Sequence, residues 1–245
     1  MTNIVSNASS RCGTTRRAEG MIAFPPVLNV RARRPVPDKA IFWPTANGFG
    51  DNPQNTDSIR FPGLSAIKAR KAAMPPEPLW AFVEEVALAR ERVLILDDFL
   101  FKPEGGALQD RLDQVLSWFP DNFGASDVRL LTSSVGDKIE EKEIEAQCNE
   151  RARQISNTRA YAPGLTIRVR FTLQTYFPYV HDRFAIIDDD LWHFGATVGG
   201  LHGQVNAATR GWVAEDHGAW AFFDMAWDGD GDLSRWYDKR TKKKR

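Results

Sequence analysis

The chain has 245 residues, enough for one sizeable domain with extensions, and no apolar run approaches the ~18 residues that a membrane span needs. Only Cys12 and Cys148 are present, which excludes a disulfide framework and a zinc site built on cysteine. The start, MTNIVSNASSRCG, lacks the apolar core of a secretory signal, so the expectation is a soluble, cytoplasmic protein without integral membrane association.

Formal net charge is zero but unevenly spread. Residues 1–40 carry seven Lys or Arg against Glu19 and Asp38, and six of the last seven residues are cations. Residues 41–238 keep 19 basic against 30 acidic side chains. An acidic body with basic ends is expected, and the tail 239–245 is a candidate tether for nucleic acid.

From residue 1 to 76 punctuation dominates periodicity: PP at 25, RRPVP at 33, NGFGDNP at 47 and PPEP at 75. This reads as an irregular N-terminal arm, with two pieces that can pack on the body: the apolar island Ala40 to Trp43, and Leu64 to Ala73 as a helix ahead of the Pro75 break. Leu79, Phe82, Val83 and Val86 then follow helical spacing, and Val93 to Leu96 is a short buried strand ending in Asp97-Asp98. Leu108, Leu112, Val115, Leu116 and Phe119 mark a second amphipathic helix, Val128 to Thr132 a strand, and Ile144, Cys148, Ala152 and Ile155 a third helix.

After Pro163-Gly164 the alternation is strict, with Leu165, Ile167, Val169 and Phe171 on one face and Thr166, Arg168, Arg170 and Thr172 on the other. His181 to Ile187 and Leu191 to Gly195 flank an Asp188-Asp189-Asp190 turn and predict a hairpin. A last strand near Asn206 to Val213 and a helix from Asp216 to Trp227 close the order. Helices alternating with strands predict one α/β domain over 77–238, its sheet mixed but mostly parallel and flanked by helices.

The chemistry lies in YVHDRFAIIDDDLWHFGATVGG, residues 179–200. On a continuous strand, His181 and Arg183 leave on the same face, where an imidazole beside a fixed cation suits phosphate. Asp188 follows Arg183 by five residues, then Gly195, and Thr197 just beyond. That order, H-x-[basic]-x4-D-x6-G, resembles the signature of the phospholipase D superfamily. The resemblance covers roughly residues 77–229 and rests mainly on the twenty residues of the motif.

The resemblance implies a single phospholipase D-like domain in which His181 attacks phosphorus and becomes a phosphohistidine. Arg183 stands where the family usually has lysine and holds phosphoryl oxygens, and neither metal nor cofactor is needed. The family's G-S-x-N tail appears here as Gly195, Ala196, Thr197, Val198: the hydroxyl has moved one residue along and the asparagine is absent. Asp188, on the opposite strand face from His181, is expected to brace the loop. Glu215 and Asp216 are candidates to orient the histidine, although acids are favoured at a helix N-terminus in any case.

Other constellations carry less. DGDGD at 228 lacks the glycine and glutamate a calcium loop requires. His193, His202 and His217 show no metal-ligand spacing, no glycine loop is followed by Lys-Ser or Lys-Thr, and Ser133-Ser134 has no adjacent base. Trp192, Trp212, Trp220, Trp227 and Trp236 read as core and rim aromatics, one or two of which can stack on a base.

Two functional readings follow: a metal-independent phosphodiesterase, more a nuclease than a lipase, or a module without turnover that binds nucleic acid or a partner protein. The reaction that the resemblance implies needs one imidazole to attack phosphorus and a second to protonate the leaving oxygen. With one motif per chain, the expectation is a homodimer that shares His181 and Arg183 across a twofold axis.

Overall fold

The computed structural model describes residues 34–45, 48–49, 61–72, 77–159 and 164–229. The basic tail 239–245, most of the DGDGD turn, Trp236 and Cys12 lie outside the described residues. The frame is a seven-stranded sheet in the order β1-β9-β8-β7-β4-β5-β6. Its strands are β1 (Ala40–Phe42), β4 (Arg92–Leu96), β5 (Asp127–Leu131), β6 (Thr166–Arg170), β7 (Arg183–Ile187), β8 (Asp190–Phe194) and β9 (Ala208–Val213). A small separate hairpin joins β2 (Pro44–Thr45) to β3 (Gly48–Phe49). The helices are α1 (Leu64–Ala72), α2 (Trp80–Ala87), α3 (Leu108–Ser117), α4 (Lys138–Thr158), the short α5 (Leu173–Tyr176) and α6 (Ala219–Asp228).

Strand composition matches strand position. Val93 to Leu96 of β4 are all buried because the strand is central and helices cover both of its faces. β6 is the sheet's edge, so Thr166, Arg168 and Arg170 remain exposed while Ile167 is buried. On one face Val93, Ile95, Val128, Leu130, Ala185 and Ile187 pack with Phe82 and Val86 of α2, Leu112 and Val115 of α3, and Ile144 and Cys148 of α4. On the other, Leu94, Leu96, Leu131, Phe184 and Ile186 pack with Leu173 of α5 and Phe223, Ala226 and Trp227 of α6. The alternation expected along β7 therefore holds, with odd positions toward α2–α4 and even positions toward α6.

The expectation of a mostly parallel sheet is corrected. Only β4–β5 and β5–β6 pair in parallel, whereas β4–β7, β7–β8, β8–β9 and β1–β9 are antiparallel. The reason is connection length. Helices α3 and α4 provide the crossovers that parallel neighbours require, while the two-residue turn Asp188-Asp189 can only join antiparallel strands. The boundary at residue 77 also shifts. Ala40–Phe42 is an edge strand of the main sheet, and Phe42 stacks on Trp192 with ring centroids 5.5 Å apart. A hydrophobic centre forms where the Phe82 ring meets Trp118, Trp192 and Phe194 edge-on at 5.1–5.4 Å.

The predicted hairpin forms, but its turn has two residues, Asp188-Asp189, rather than three, and Asp190 begins β8 opposite Ile187. However, β7 begins at Arg183, so His181 and Asp182 precede the strand and are exposed. The pleat that would send His181 and Arg183 to one face does not extend that far. The described residues contain no helix long and apolar enough to cross a membrane.

Candidate functional site

The motif separates into a buried half and an open half. In the buried half, Asp97 at the end of β4 is fully enclosed: Oδ1 accepts the Phe99 N–H at 2.8 Å and Oδ2 accepts the Val198 N–H at 2.7 Å. The second bond clamps the loop that follows Gly195-Ala196-Thr197. Arg183 extends to this side, with Nε 3.5 Å from Asp97 Oδ1 and its guanidinium 4.8 Å from the Phe99 ring. Burial pushes the Asp97 carboxyl up to about 6, against the lowering effect of the two N–H bonds and Arg183.

The same loop is held by two arginines that sequence reasoning did not single out. Arg70 of α1 donates to the carbonyls of Gly200, His202 and Gln204, and Arg111 of α3 donates to those of Leu100 and Leu201. Both are buried, with charged N–H groups satisfying loop carbonyls that have no ladder to join. His202 lies among them. Burial first, and the neighbouring Arg70, Arg183 and Arg111 second, press its imidazole down to about 3, so it is neutral across the physiological range.

Thr197 is buried and caps no helix with its side chain; its carbonyl accepts the Gly200 N–H. A Cβ at Gly195 would lie 3.0 Å from the Asn206 Cβ, so a larger residue there needs Asn206 to give way by a few tenths of an ångström. Asp188 holds a turn. At φ 54° it turns its carboxylate onto the N–H groups of Arg90, Glu91 and Arg92 at 2.8–3.2 Å, fixing the α2–β4 turn beside the hairpin. Asp98 accepts from Ser133 and Gln174, and Ser134 from the following residue pair bonds to Glu141, so both serines of the Ser133-Ser134 pair are occupied.

The open half faces α6. A groove of about 490 Å³ is lined by Tyr179, His181, Asp182, His193 and His217, over a floor that includes Phe184 and Phe222. His181 is exposed, and its ring makes no hydrogen bond or ion pair with any described residue. One strand over, His193 Nε2 lies 2.5 Å from Asp182 Oδ1. The register explains this contact: Phe184 faces His193 across the β7–β8 ladder, which sets Asp182 on the diagonal of the same face. The bond to Asp182 raises the His193 pKa above its ordinary value, and the bond to His193 lowers that of Asp182.

The structure therefore brings together His181, Asp182, His193 and His217, and places Arg183 on the opposite face with Asp97, Phe99 and His202. Glu215 and Asp216 lie exposed in the turn before α6, outside the groove lining. No group of three or more His, Cys, Asp or Glu side chains among the described residues is arranged to hold a metal ion. The signal that would have revealed the Asp182–His193 pair is register: once the two-residue turn is fixed at Asp188-Asp189, positions 184 and 193 must face each other.

No family model matches the sequence, and no curated protein does. Several solved structures are similar. One is Nuc from Salmonella typhimurium, a phospholipase D family member, at 13% identity and a TM-score of 0.40, over 78% of this chain and 92% of that one. Another is NucT from Helicobacter pylori, at 12% identity and a TM-score of 0.37, over 78% and 96%. The phosphatidylserine synthase of Haemophilus influenzae Rd KW20 is similar at 15% identity and a TM-score of 0.36, over 59% of this chain and 33% of that one.

Proposed function

We propose that the protein is a metal-independent phosphodiesterase acting on nucleic acid, with His181 as nucleophile. The observation that carries this reading is the position of His181: exposed on a groove, its ring uncommitted to any described residue, with a second, carboxylate-held imidazole on the same groove. In the reaction, the His181 lone pair attacks phosphorus, an N–P bond forms as the bond to the leaving oxygen breaks, and water then hydrolyses the phosphohistidine. Nucleic acid is favoured over lipid because Tyr179, 46% exposed at the rim, offers a face on which a base can stack. The exposed Arg168 of β6 adds a cation elsewhere on the surface, although it is paired to Asp127.

A second reading, a module that binds without turnover, draws support from the tail of the motif. Val198 stands where the family has asparagine and is fully buried, Thr197 is buried, and Arg183 is engaged with Asp97. Under this reading the groove binds nucleic acid or a partner protein. The single-motif expectation of a homodimer supplies a second imidazole from a twofold partner; within one chain, His193 and His217 line the same groove, and His193 is the one bonded to a carboxylate.

Cleavage of end-labelled DNA and RNA oligonucleotides with and without EDTA tests the proposal. Turnover should persist in excess chelator and be lost in His181→Ala, which should remain folded because the side chain is exposed. Activity abolished by EDTA and restored by magnesium, or unchanged in His181→Ala, overturns it. Saturable binding without cleavage supports the second reading.

A further inference from the structure

We propose that His193, positioned by Asp182, is the proton donor to the leaving oxygen in the reaction initiated by His181, so that one chain carries both imidazoles the displacement needs. This inference rests on the phosphodiesterase reading above, but it replaces the shared, twofold site expected from a single motif. Three observations support it. His181 and His193 line the same groove. His193 Nε2 is bonded to Asp182 Oδ1, which fixes the ring and leaves Nδ1 as its other nitrogen. Arg183, the residue expected to accompany His181, extends to the other face of the sheet and leaves the groove's acid–base chemistry to histidines.

Both rings open on the same groove of about 490 Å³, which has room for a phosphoryl group. In the first step His181 donates an electron pair to phosphorus, the bond from phosphorus to the leaving oxygen breaks, and that oxygen takes a proton from the His193 imidazolium. In the second, neutral His193 takes a proton from water as the water oxygen attacks phosphorus, and the P–N bond breaks to restore His181. Protons and electrons balance, and each half leaves His193 in the state the other half requires.

The bond to Asp182 raises the His193 pKa, which favours the imidazolium needed at the start. The titratable side chains facing His193 around the groove are Tyr179, His181 and Asp182 ahead of β7 and His217 ahead of α6. Asp182 is the carboxylate among them, so it is the positioning residue.

Two substrates separate the roles: an oligonucleotide, whose alkoxide leaving group needs a proton, and bis(p-nitrophenyl) phosphate, whose phenolate leaving group does not. His193→Ala should lose about 100-fold or more on the oligonucleotide and several-fold at most on the activated ester, whereas His181→Ala loses both. Asp182→Asn should move the high-pH limb of the wild-type rate profile to lower pH, a shift that a merely structural role would not cause. Mixing His181→Ala with His193→Ala should restore nothing, because both groups act within one chain.

Equal losses on the two esters in His193→Ala, or recovery of activity on mixing, overturn the proposal. So does full oligonucleotide cleavage by His193→Ala while His181→Ala is dead; that outcome leaves the phosphodiesterase reading standing. A wild-type protein inactive on both esters overturns that reading and this inference with it.

Discussion

Arg183 Nε lies 3.5 Å from Asp97 Oδ1, across a contact in which the carboxylate is fully buried and the arginine is 19% exposed. The motif's cation thus neutralises the acid that clamps the Val198 N–H, and it does so on the far side of the sheet from His181. Replacing it strands a buried charge. Arg183→Ala should therefore destabilise by roughly 3 kcal/mol at pH 8. The sign with pH follows from Asp97, whose folded pKa is raised to about 6. Below that value the carboxyl is protonated in the native state and no longer needs the cation, so the loss should shrink clearly at pH 5. Urea denaturation of both proteins at the two pH values measures this; an equal loss at both would mean that Arg183 acts by packing on Phe99 alone.

Asp188 accepts three backbone N–H groups at a φ of 54°. Asp188→Ala removes the acceptor and leaves a residue poorly suited to the left-handed region, at a combined cost of about 2–4 kcal/mol. Asp188→Asn keeps one acceptor oxygen and tolerates that conformation, so it should lose less than half as much. If Ala and Asn are equally damaging, the charge rather than the turn is what matters.

Asp190 closes the hairpin with Oδ1 on the Gly211 N–H at 2.9 Å, while the buried Oδ2 meets no donor at hydrogen-bond geometry among the described residues. Burial, with Glu85 adding to it, lifts this carboxyl to about 7. An acid whose folded pKa exceeds its unfolded value is stabilised by protonation, and that advantage disappears as pH rises through about 7. Asp190→Asn keeps the Gly211 bond and is never ionised. It should be more stable than the parent by roughly 1–3 kcal/mol at pH 8, with the difference shrinking as pH falls and vanishing only below the unfolded carboxyl's pKa of about 3.9. A variant that is less stable at pH 8 would show that the charge is compensated by Arg210.

Gly199 sits at φ 78°, where an added Cβ would come within 2.5 Å of the Trp118 ring. Gly218, at φ 68°, has nothing within 4 Å of the same position. Alanine at 199 must both adopt a strained backbone and displace a fully buried indole, so it should cost several kcal/mol, against about 1 kcal/mol at 218. Thermal denaturation of the pair tests whether the loop after Thr197 is fixed by that contact. Similar losses would show that backbone strain alone limits both sites.

Most of the secondary structure was legible because hydrophobic periodicity is local. The stripe Ile144, Cys148, Ala152, Ile155 and the alternation from Leu165 to Phe171 each require one helix or one strand, and the Asp188-Asp189-Asp190 run between two apolar segments points to a hairpin. Ala40 to Trp43 reads in sequence only as an apolar island, because a three-residue strand has too little pattern to declare a partner 170 residues away, at Arg210.

The sequence by itself determined the α/β order, the hairpin and the presence of a histidine that can serve phosphorus chemistry. Tertiary structure alone decided which groups surround that histidine. Alternation says that neighbouring side chains part company, but not where the strand begins; with β7 starting at Arg183, the HxR pair divides between two faces of the sheet. Arg70 and Arg111 could not be recognised as loop anchors, since their acceptors are backbone carbonyls, all but that of Leu100 lying 90 to 134 residues away, and carry no side-chain signature. The pairing of Asp182 with His193 belongs to the same class. It arises from cross-strand register, a relation between two segments that exists only once the chain has folded back on itself.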